Sequence, residues 1–398
     1  MIFSPGQHPR ESNELLAVNL KVVGLGGAGI NVVDKLAAIG LGASGFLAVD
    51  TDAQALQRVV MAHKVPVGAK RTRGLGCGGD PDMGRQCVES AKRALSKQLE
   101  GAEVVLMVAG LGGGMGTGAG PALARLAADN GALVLVLALL PFECEGRRRM
   151  EQARAGLARL RETADAVICL PNQHVLELHG EDQSAQQTFE AANALVLQGV
   201  FGLGRLLRAD GLLTAGLADL RAVLAGHQEE SVLAAAEAGG RKRHRELMDN
   251  LCAHPFMENG RVLKEADALL VSLVGGLEMS MADVNKVTQQ ITANCPGAEM
   301  VLSAAVEPGF KDKLGITVIT ARGKKDAAPA SLEMPAEAEA PEMEKPRRKS
   351  STRRRKAKQQ ELQLQDVSKG RFEKGEPTLH EGEDLDVPTY IRRNLALK

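Results

Sequence analysis

Tryptophan is absent from this sequence of 398 residues, and its single tyrosine, Tyr390, stands near the end. A core without those rings has to be packed with leucine, valine and alanine, and a lone terminal tyrosine serves a partner better than a core. Cysteine is scarce and scattered: the six lie at 77, 87, 144, 169, 252 and 295, with no CxxC pair. That spacing excludes a zinc ribbon and a disulfide framework, so reduced thiols are expected and no protein-held metal. Net charge is missing as well. With 49 basic and 49 acidic residues the chain as a whole has no pull toward nucleic acid, and none is expected as a specific partner. The longest apolar run, Ala132 to Phe142, is far short of a membrane span. The opening "MIFSPGQHPRESNELL" lacks a basic leader followed by an apolar stretch, so no signal peptide is expected. Together these absences point to a soluble, cytoplasmic protein.

What the chain does have is a βα rhythm punctuated by glycine. From Asn19, "LKVVGLG" reads as a strand, "NVVDKLAAIG" as a helix stopped at Gly40, and "GFLAVDTD" as the next strand. "RQCVESAKRALSKQLEG" reads as one amphipathic helix. "AEVVLMVAG", "ALVLVLALLPF" and "ADAVICLP" are further strands, with the helix "PALARLAADNG" after the first of them. Strands apolar on both faces and alternating with helices predict an α/β fold, a parallel sheet covered on both sides. In such a sheet ligands sit at the carboxyl ends of the strands. One long helix is expected from about Gln183 to Arg208, and 213–323 carries enough helices and strands ("ALLVSLVGG", "MVLSAAVEP", "GITVITARG") for a smaller second domain. After Gly323 apolar periodicity is lost: an acidic stretch at 333–344 precedes a basic one at 345–358, which reads as a disordered linker. A short apolar patch, "DLDVPTYIRRNLALK", ends the chain.

Two glycine-rich turns carry the chemistry. Gly24 to Gly29 has GxGxxG spacing, and Asp50 follows at the end of a strand, a combination that fits an NAD-linked Rossmann oxidoreductase. The second turn, "GLGGGMGTGAGP" from Gly110, has no standard use in that fold. Two such turns at neighbouring strand ends, each opening a helix, surround one chain of phosphates with backbone N–H groups. The oxidoreductase stays as an alternative from a different class, although no histidine sits at a strand end to serve it; His174, beside Asn172, is the nearest.

The second turn, with its small-residue core, resembles the signature loop of the tubulin/FtsZ superfamily. "FLAVDTDAQAL", "RGLGCGGDPDMGR", "PFECEGRRRM" and "LPNQHV" resemble further loops of bacterial FtsZ, in family order, "VGGLEMSMADVNKV" its second-domain motif, and "DLDVPTYIRR" its C-terminal peptide. The resemblance implies a flexible N-terminus (1–18), a GTP-binding domain (19–182), a central helix (183–212), a C-terminal GTPase-activating domain (213–323), a linker (324–383) and a partner-binding tail (384–398). It implies GTP or GDP as ligand, with Mg2+. Gly26, Gly27, Ala28, Gly29, Ile30 and Asn31, with Gly113, Gly114, Met115, Gly116, Thr117 and Gly118, would hold the phosphates, Thr117 through its hydroxyl. Glu145 and Arg149 would reach the ribose, Asn172 the base, Phe189 would stack on guanine and Asn193 read its edge. Asp52 and Asp80 are further polar contacts near the phosphates.

Resemblance also implies a head-to-tail homopolymer at a bacterial division ring at mid-cell, in which the next subunit supplies the catalytic carboxylates. Here the chain departs from the pattern. In "GLLTAGLADLRAV" Thr214 replaces an Asn and Gly216 an Asp, leaving Asp219 as the catalytic candidate, and Met115 replaces a Thr in the phosphate turn. Binding is therefore expected to be retained and hydrolysis to be slow, since losing a positioned catalytic group costs ~10²–10⁴ in rate, the alternative being that Asp210 or Asp219 suffices. The alternative within the family is a catalytically degenerate paralogue with a regulatory or structural filament role. In the tail, Asp386, Val387, Pro388, Tyr390, Ile391 and Arg392 would bind membrane-anchored division proteins.

Overall fold

A computed structural model describes residues 18–41, 43–179, 184–207, 211–224 and 227–324, and the short pair 379–380 with 383–384. The expected flexible N-terminus, Asp210, the linker and all six tail residues from Asp386 to Arg392 named above lie outside these, apart from Val18, Lys324 and that pair. Contacts divide the chain into two units, Met1–Ser331 and Leu332–Lys398. In the second unit the description covers only the antiparallel pair Leu379–His380 with Glu383–Asp384.

In the first unit the strands are β1 (Leu20–Leu25), β2 (Gly45–Asp50), β3 (His63–Pro66), β4 (Val104–Gly110), β5 (Leu133–Leu140), β6 (Ala166–Pro171), β7 (His227–Gly239), β8 (Ala268–Gly275), β9 (Glu299–Val306) and β10 (Lys313–Lys324). They form one sheet in the order β3-β2-β1-β4-β5-β6-β7-β10-β8-β9. The first six are parallel, five of them where the apolar runs predicted strands, while the short β3 was not foreseen. β7 joins β6 in parallel at Ile168↔Ser231, and β10 runs antiparallel between β7 and β8.

Alternation along the central strands explains why both faces must be covered. Val104, Leu106 and Val108 of β4 enter one core, while Val105, Met107 and Ala109 enter the other. The helices of the first half are α1 (Gly26–Ile39), α2 (Ala53–Arg58), α3 (Ala69–Thr72), α4 (Pro81–Ser90), α5 (Lys92–Leu99), α6 (Gly120–Asp129), α7 (Arg147–Arg161) and α8 (Asn172–His179). The single helix expected over 85–101 is two, because the Ala91 N–H turns back to Val88 O and its backbone leaves the helical region. Later come α9 (Ala185–Leu206), α10 (Leu217–Leu224), α11 (Arg243–Cys252), α12 (Arg261–Lys264) and α13 (Met281–Asn294).

The long helix α9 forms where the spacing placed it. Ser184 and Gln187 cap it reciprocally, and Ala192, Val196, Val200 and Leu203 make its buried stripe. Its far end is clamped: Arg205 donates twice to Glu307, at 2.9 and 3.0 Å, and lies over the Phe310 ring. α9 therefore ties the cavity described below, which its Phe189 helps line, to the β9 side of the sheet.

One buried group makes stability depend on pH. His254 is buried, its Nδ1 accepting the Phe256 N–H, and burial pushes its pKa down to about 4. The unfolded chain therefore takes a proton near pH 6.5 that the folded chain refuses, so stability is lost as pH falls from 6.5 to about 4. Thermal melts should show the parent losing up to about 3 kcal/mol over that interval relative to His254→Asn, which keeps an acceptor at the same cap. Parallel pH profiles would show that this histidine contributes nothing to the acid sensitivity.

Candidate functional site

The carboxyl ends of β1, β2, β4, β5 and β6 open onto one cavity of about 590 Å³. Each end changes direction for a local reason. Leu25 leads into Gly26, whose φ of +68° starts α1 with no side-chain cap, so the first N–H groups of that helix stay open. β4 runs into the second glycine turn, where a turn of π-helix, Met115–Ala119, precedes α6. At Gly116 no side chain would fit: a Cβ would stand 2.1 Å from the Gly110 carbonyl oxygen. Gly26, Gly27 and Ala28 thus face the cavity together with Gly113, Gly114, Met115 and Gly116. Backbone amides and a helix N-terminus converging on one space form a seat for an anion.

Beyond the glycine turns the walls combine apolar residues with an amide and a charged pair. Phe189, half-exposed on α9, meets Phe142 edge-to-face with centroids 5.0 Å apart. It borders the cavity with Asn172, the first residue of α8. Glu145 is fixed from two sides, accepting the Phe142 N–H through Oε1 and pairing with Arg149 at 2.7 Å through Oε2. Arg149 lies beneath the glycine turn, where a Cβ on Gly112 would meet its Cγ at 2.6 Å. A ring, an amide and a charged pair at one end, with open amides at the other, suit a planar base joined to phosphates.

Eleven of the sequence-expected binding residues line this cavity: Gly26, Gly27, Ala28, Gly113, Gly114, Met115, Gly116, Glu145, Arg149, Asn172 and Phe189. Six are placed elsewhere. Gly29 lies against the Val108 carbonyl, Ile30 is in the core, and Asn31 is exposed on α1. Thr117 is buried with its hydroxyl accepting the Gly112 N–H at 2.8 Å, so that oxygen braces the turn. Gly118 packs on the Pro81 carbonyl, and Asn193 is half-buried one helical turn beyond Phe189. The catalytic candidate Asp219 is not among the lining residues. It is exposed in the first turn of α10, its Oδ2 accepting the Gly216 N–H at 2.8 Å, in a loop that pairs Leu213 with Ala304 of β9.

Asp52, expected near the phosphates, lines the cavity just after β2. Ala55 and the turn from Leu75 to Gly79 were not expected individually, and Asp50, the last residue of β2, was singled out only for its place in a dinucleotide-type spacing. Both segments had been noted as family-like loops, so the signal for them was present. Asp52 spends one oxygen capping α2, accepting from Gln54 and Ala55. Asp80, the other polar contact expected near the phosphates, caps α4 through the Asp82 N–H and does not line the cavity.

Residues 19–180 match the model of the GTPase domain of the tubulin/FtsZ family, and residues 230–323 match that of the C-terminal domain of the FtsZ family. Among solved structures, an empty FtsZ dimer from M. jannaschii is similar at 28% identity with a TM-score of 0.71, over 76% of this chain and 88% of that one. A CetZ2 protofilament from Haloferax volcanii with GTPgS bound shares the fold, at 23% identity and a TM-score of 0.63, over 77% of this chain and 94% of that one. So does a GDP-bound CetZ1 monomer from the same organism, at 20% identity and a TM-score of 0.65, over 78% and 96%.

Proposed function

Since the chain belongs to the tubulin/FtsZ family, a family of GTPases, we propose that its cavity holds GTP or GDP and that copies of it assemble head to tail into filaments. One observation carries the reading: two glycine turns, a half-exposed ring and an amide border a single cavity of about 590 Å³. The open amides of Gly26–Ala28 and Gly113–Gly116 receive the phosphates, and Phe189 with Asn172 receives the base. Glu145 and Arg149, locked to each other, face the ribose. On this reading Mg2+ enters with the nucleotide as part of the substrate; among the described residues no three His, Cys, Asp or Glu side chains gather to hold a metal ion. When bound, it neutralises phosphate charge that the protein leaves uncompensated.

Assembly follows if the nucleotide lies at the joint between two copies, because a ligand bound only in the joint stabilises it by mass action. A head-to-tail contact that does not close gives a filament. The loop at 211–216 and Asp219 of one copy then act on the nucleotide of the next, with Asp219 orienting water and hydrolysis slow for want of a second carboxylate. Among the described residues no helix is long and apolar enough to cross a membrane. The reading accordingly puts the filament in the cytoplasm, at the mid-cell division site, linked to membrane-anchored division proteins through the tail. Gly216 and Met115 favour one alternative, a family paralogue whose filament regulates or supports division with little turnover.

Sedimentation with GTP, GDP and a non-hydrolysable GTP analogue, with phosphate release followed in parallel, tests the reading. The parent should pellet with GTP and with the analogue. Phe189→Ala should weaken guanine-nucleotide binding by about 1–3 kcal/mol, the usual worth of an aromatic stack on a base, while its melting point stays near the parent's. Equal affinity of parent and variant would remove the ring from base recognition, and indifference of the parent to all three ligands would sink the reading as a whole.

A further inference from the structure

One lining residue is chemically out of place. The cavity offers open amides to an anion, yet Asp50 brings a carboxylate into its wall at the end of β2, with only 4% of its surface exposed. Its Oδ1 accepts the Thr51 N–H at 2.6 Å and the Asp52 N–H at 3.2 Å. Burial pushes its pKa up and the Asp52 carboxylate adds to the rise, against the pull of those two amides. Among the described residues no cation answers it from the elements around it. The turn from Leu75 to Gly79 presents Cys77, whose thiol meets Thr51 Oγ1 at 3.2 Å. The start of α1 presents uncharged Gly26–Ala28. β3 places Pro66 opposite Asp50, while its Lys64 acts on Asp34. Arg149, elsewhere on the wall, is already paired with Glu145.

We propose that Asp50 takes up a proton when the phosphates of a nucleotide occupy the cavity, and that it thereby sets how much negative charge the site accepts. The inference deepens the guanine-nucleotide reading and rests on it. A carboxylate without a cationic partner, beside a bound polyanion, is driven further toward its neutral form. The two equilibria are linked: an anion that favours protonated Asp50 binds more tightly at low pH. Its affinity falls as pH rises through the interval between the free-state and bound-state pKa, then levels off. Each unit by which the phosphates raise that pKa is worth about tenfold in affinity.

Calorimetric titration of GDP into the full chain tests this, without divalent cations, in pairs of buffers of different ionisation enthalpy between pH 5 and 8. The parent should take up more protons on binding than Asp50→Asn or Asp50→Ser. Both variants keep an acceptor for the Thr51 amide, and both should bind GDP about tenfold more tightly than the parent at pH 8. Should a variant fail to fold, the parent's own count decides, since after correction for the terminal phosphate it should exceed zero. Equal counts in parent and variants, or a corrected parent count of zero, overturn the role of Asp50 and leave nucleotide binding standing. No binding by any of the three chains overturns both.

Discussion

Gly118→Ala is expected to lower the unfolding free energy by about 3 kcal/mol or more, the upper range for overpacking a close-fitted interior. The new Cβ would stand 1.7 Å from the carbonyl oxygen of Pro81 and 2.7 Å from its Cα. Both atoms belong to the backbone at the start of α4, so no rotamer change relieves the clash, and α4 has to move away from the glycine turn. Gly113→Ala makes the contrast. It lies in the same turn and lines the cavity, but a Cβ there meets nothing within 4 Å. Its stability should stay within about 0.5 kcal/mol of the parent, as for a surface substitution. Its nucleotide affinity should fall, because the added methyl occupies space proposed for phosphate. Urea denaturation of both variants, with binding measured on the folded one, separates glycines that allow the turn to pack from glycines that leave room for a ligand. Parental stability in Gly118→Ala would mean that the turn and α4 are not in contact.

That contrast also marks what was legible in the sequence. Strands β4 and β5 were readable because a strand buried on both faces leaves an unbroken apolar run, and the glycine turns because their chemistry is that of the bare backbone. β7 was not readable: "HQEESVLAAAEAG" begins with charge and continues in alanine, with no bulky alternation to signal a strand. It is a strand because β10 pairs along nearly its whole length, a non-local cause. The cavity shows the same division. Phe189 and Asn172 could be singled out by resemblance, but the Phe142 ring that supports Phe189 became visible only when β5 and α9 came together. Thr117 was expected to offer its hydroxyl to a ligand, yet the nearest unsatisfied donor, the Gly112 N–H, lies within its own turn. Asp50 was noted only as the acidic residue that completes a dinucleotide-type spacing, because its burial to 4% exposure is a property of the assembled sheet.

Gly216→Asp is expected to raise GTP turnover by ~10²-fold, the lower end of what a positioned acid–base or electrostatic group supplies. The premise is that hydrolysis at a joint between copies needs carboxylates on the loop before α10 to orient and polarise water. Among the described residues of that loop and the first turn of α10 the parent presents Asp219, whose Oδ2 already accepts the Gly216 N–H at 2.8 Å. A carboxylate at 216 would add an acceptor without disturbing the core: Gly216 is exposed, and its Cβ would meet only Asp219 Oδ2, at 3.3 Å, the movable end of a side chain. The two acids would then stand close enough to repel, a repulsion that solvent weakens at so exposed a position. Phosphate release measured above the assembly threshold should rank Gly216→Asp above the parent and the parent above Asp219→Ala, with filament mass in the non-hydrolysable analogue alike in all three. A parent already as fast as Gly216→Asp would show that one carboxylate suffices, and an unchanged rate in Asp219→Ala would take that residue out of the mechanism. If Gly216→Asp restores turnover, the loop geometry is intact and the missing carboxylate accounts for the slow hydrolysis. If it does not, Met115 in the phosphate turn becomes the next substitution to reverse, because it places a thioether where a hydroxyl would otherwise face the phosphates.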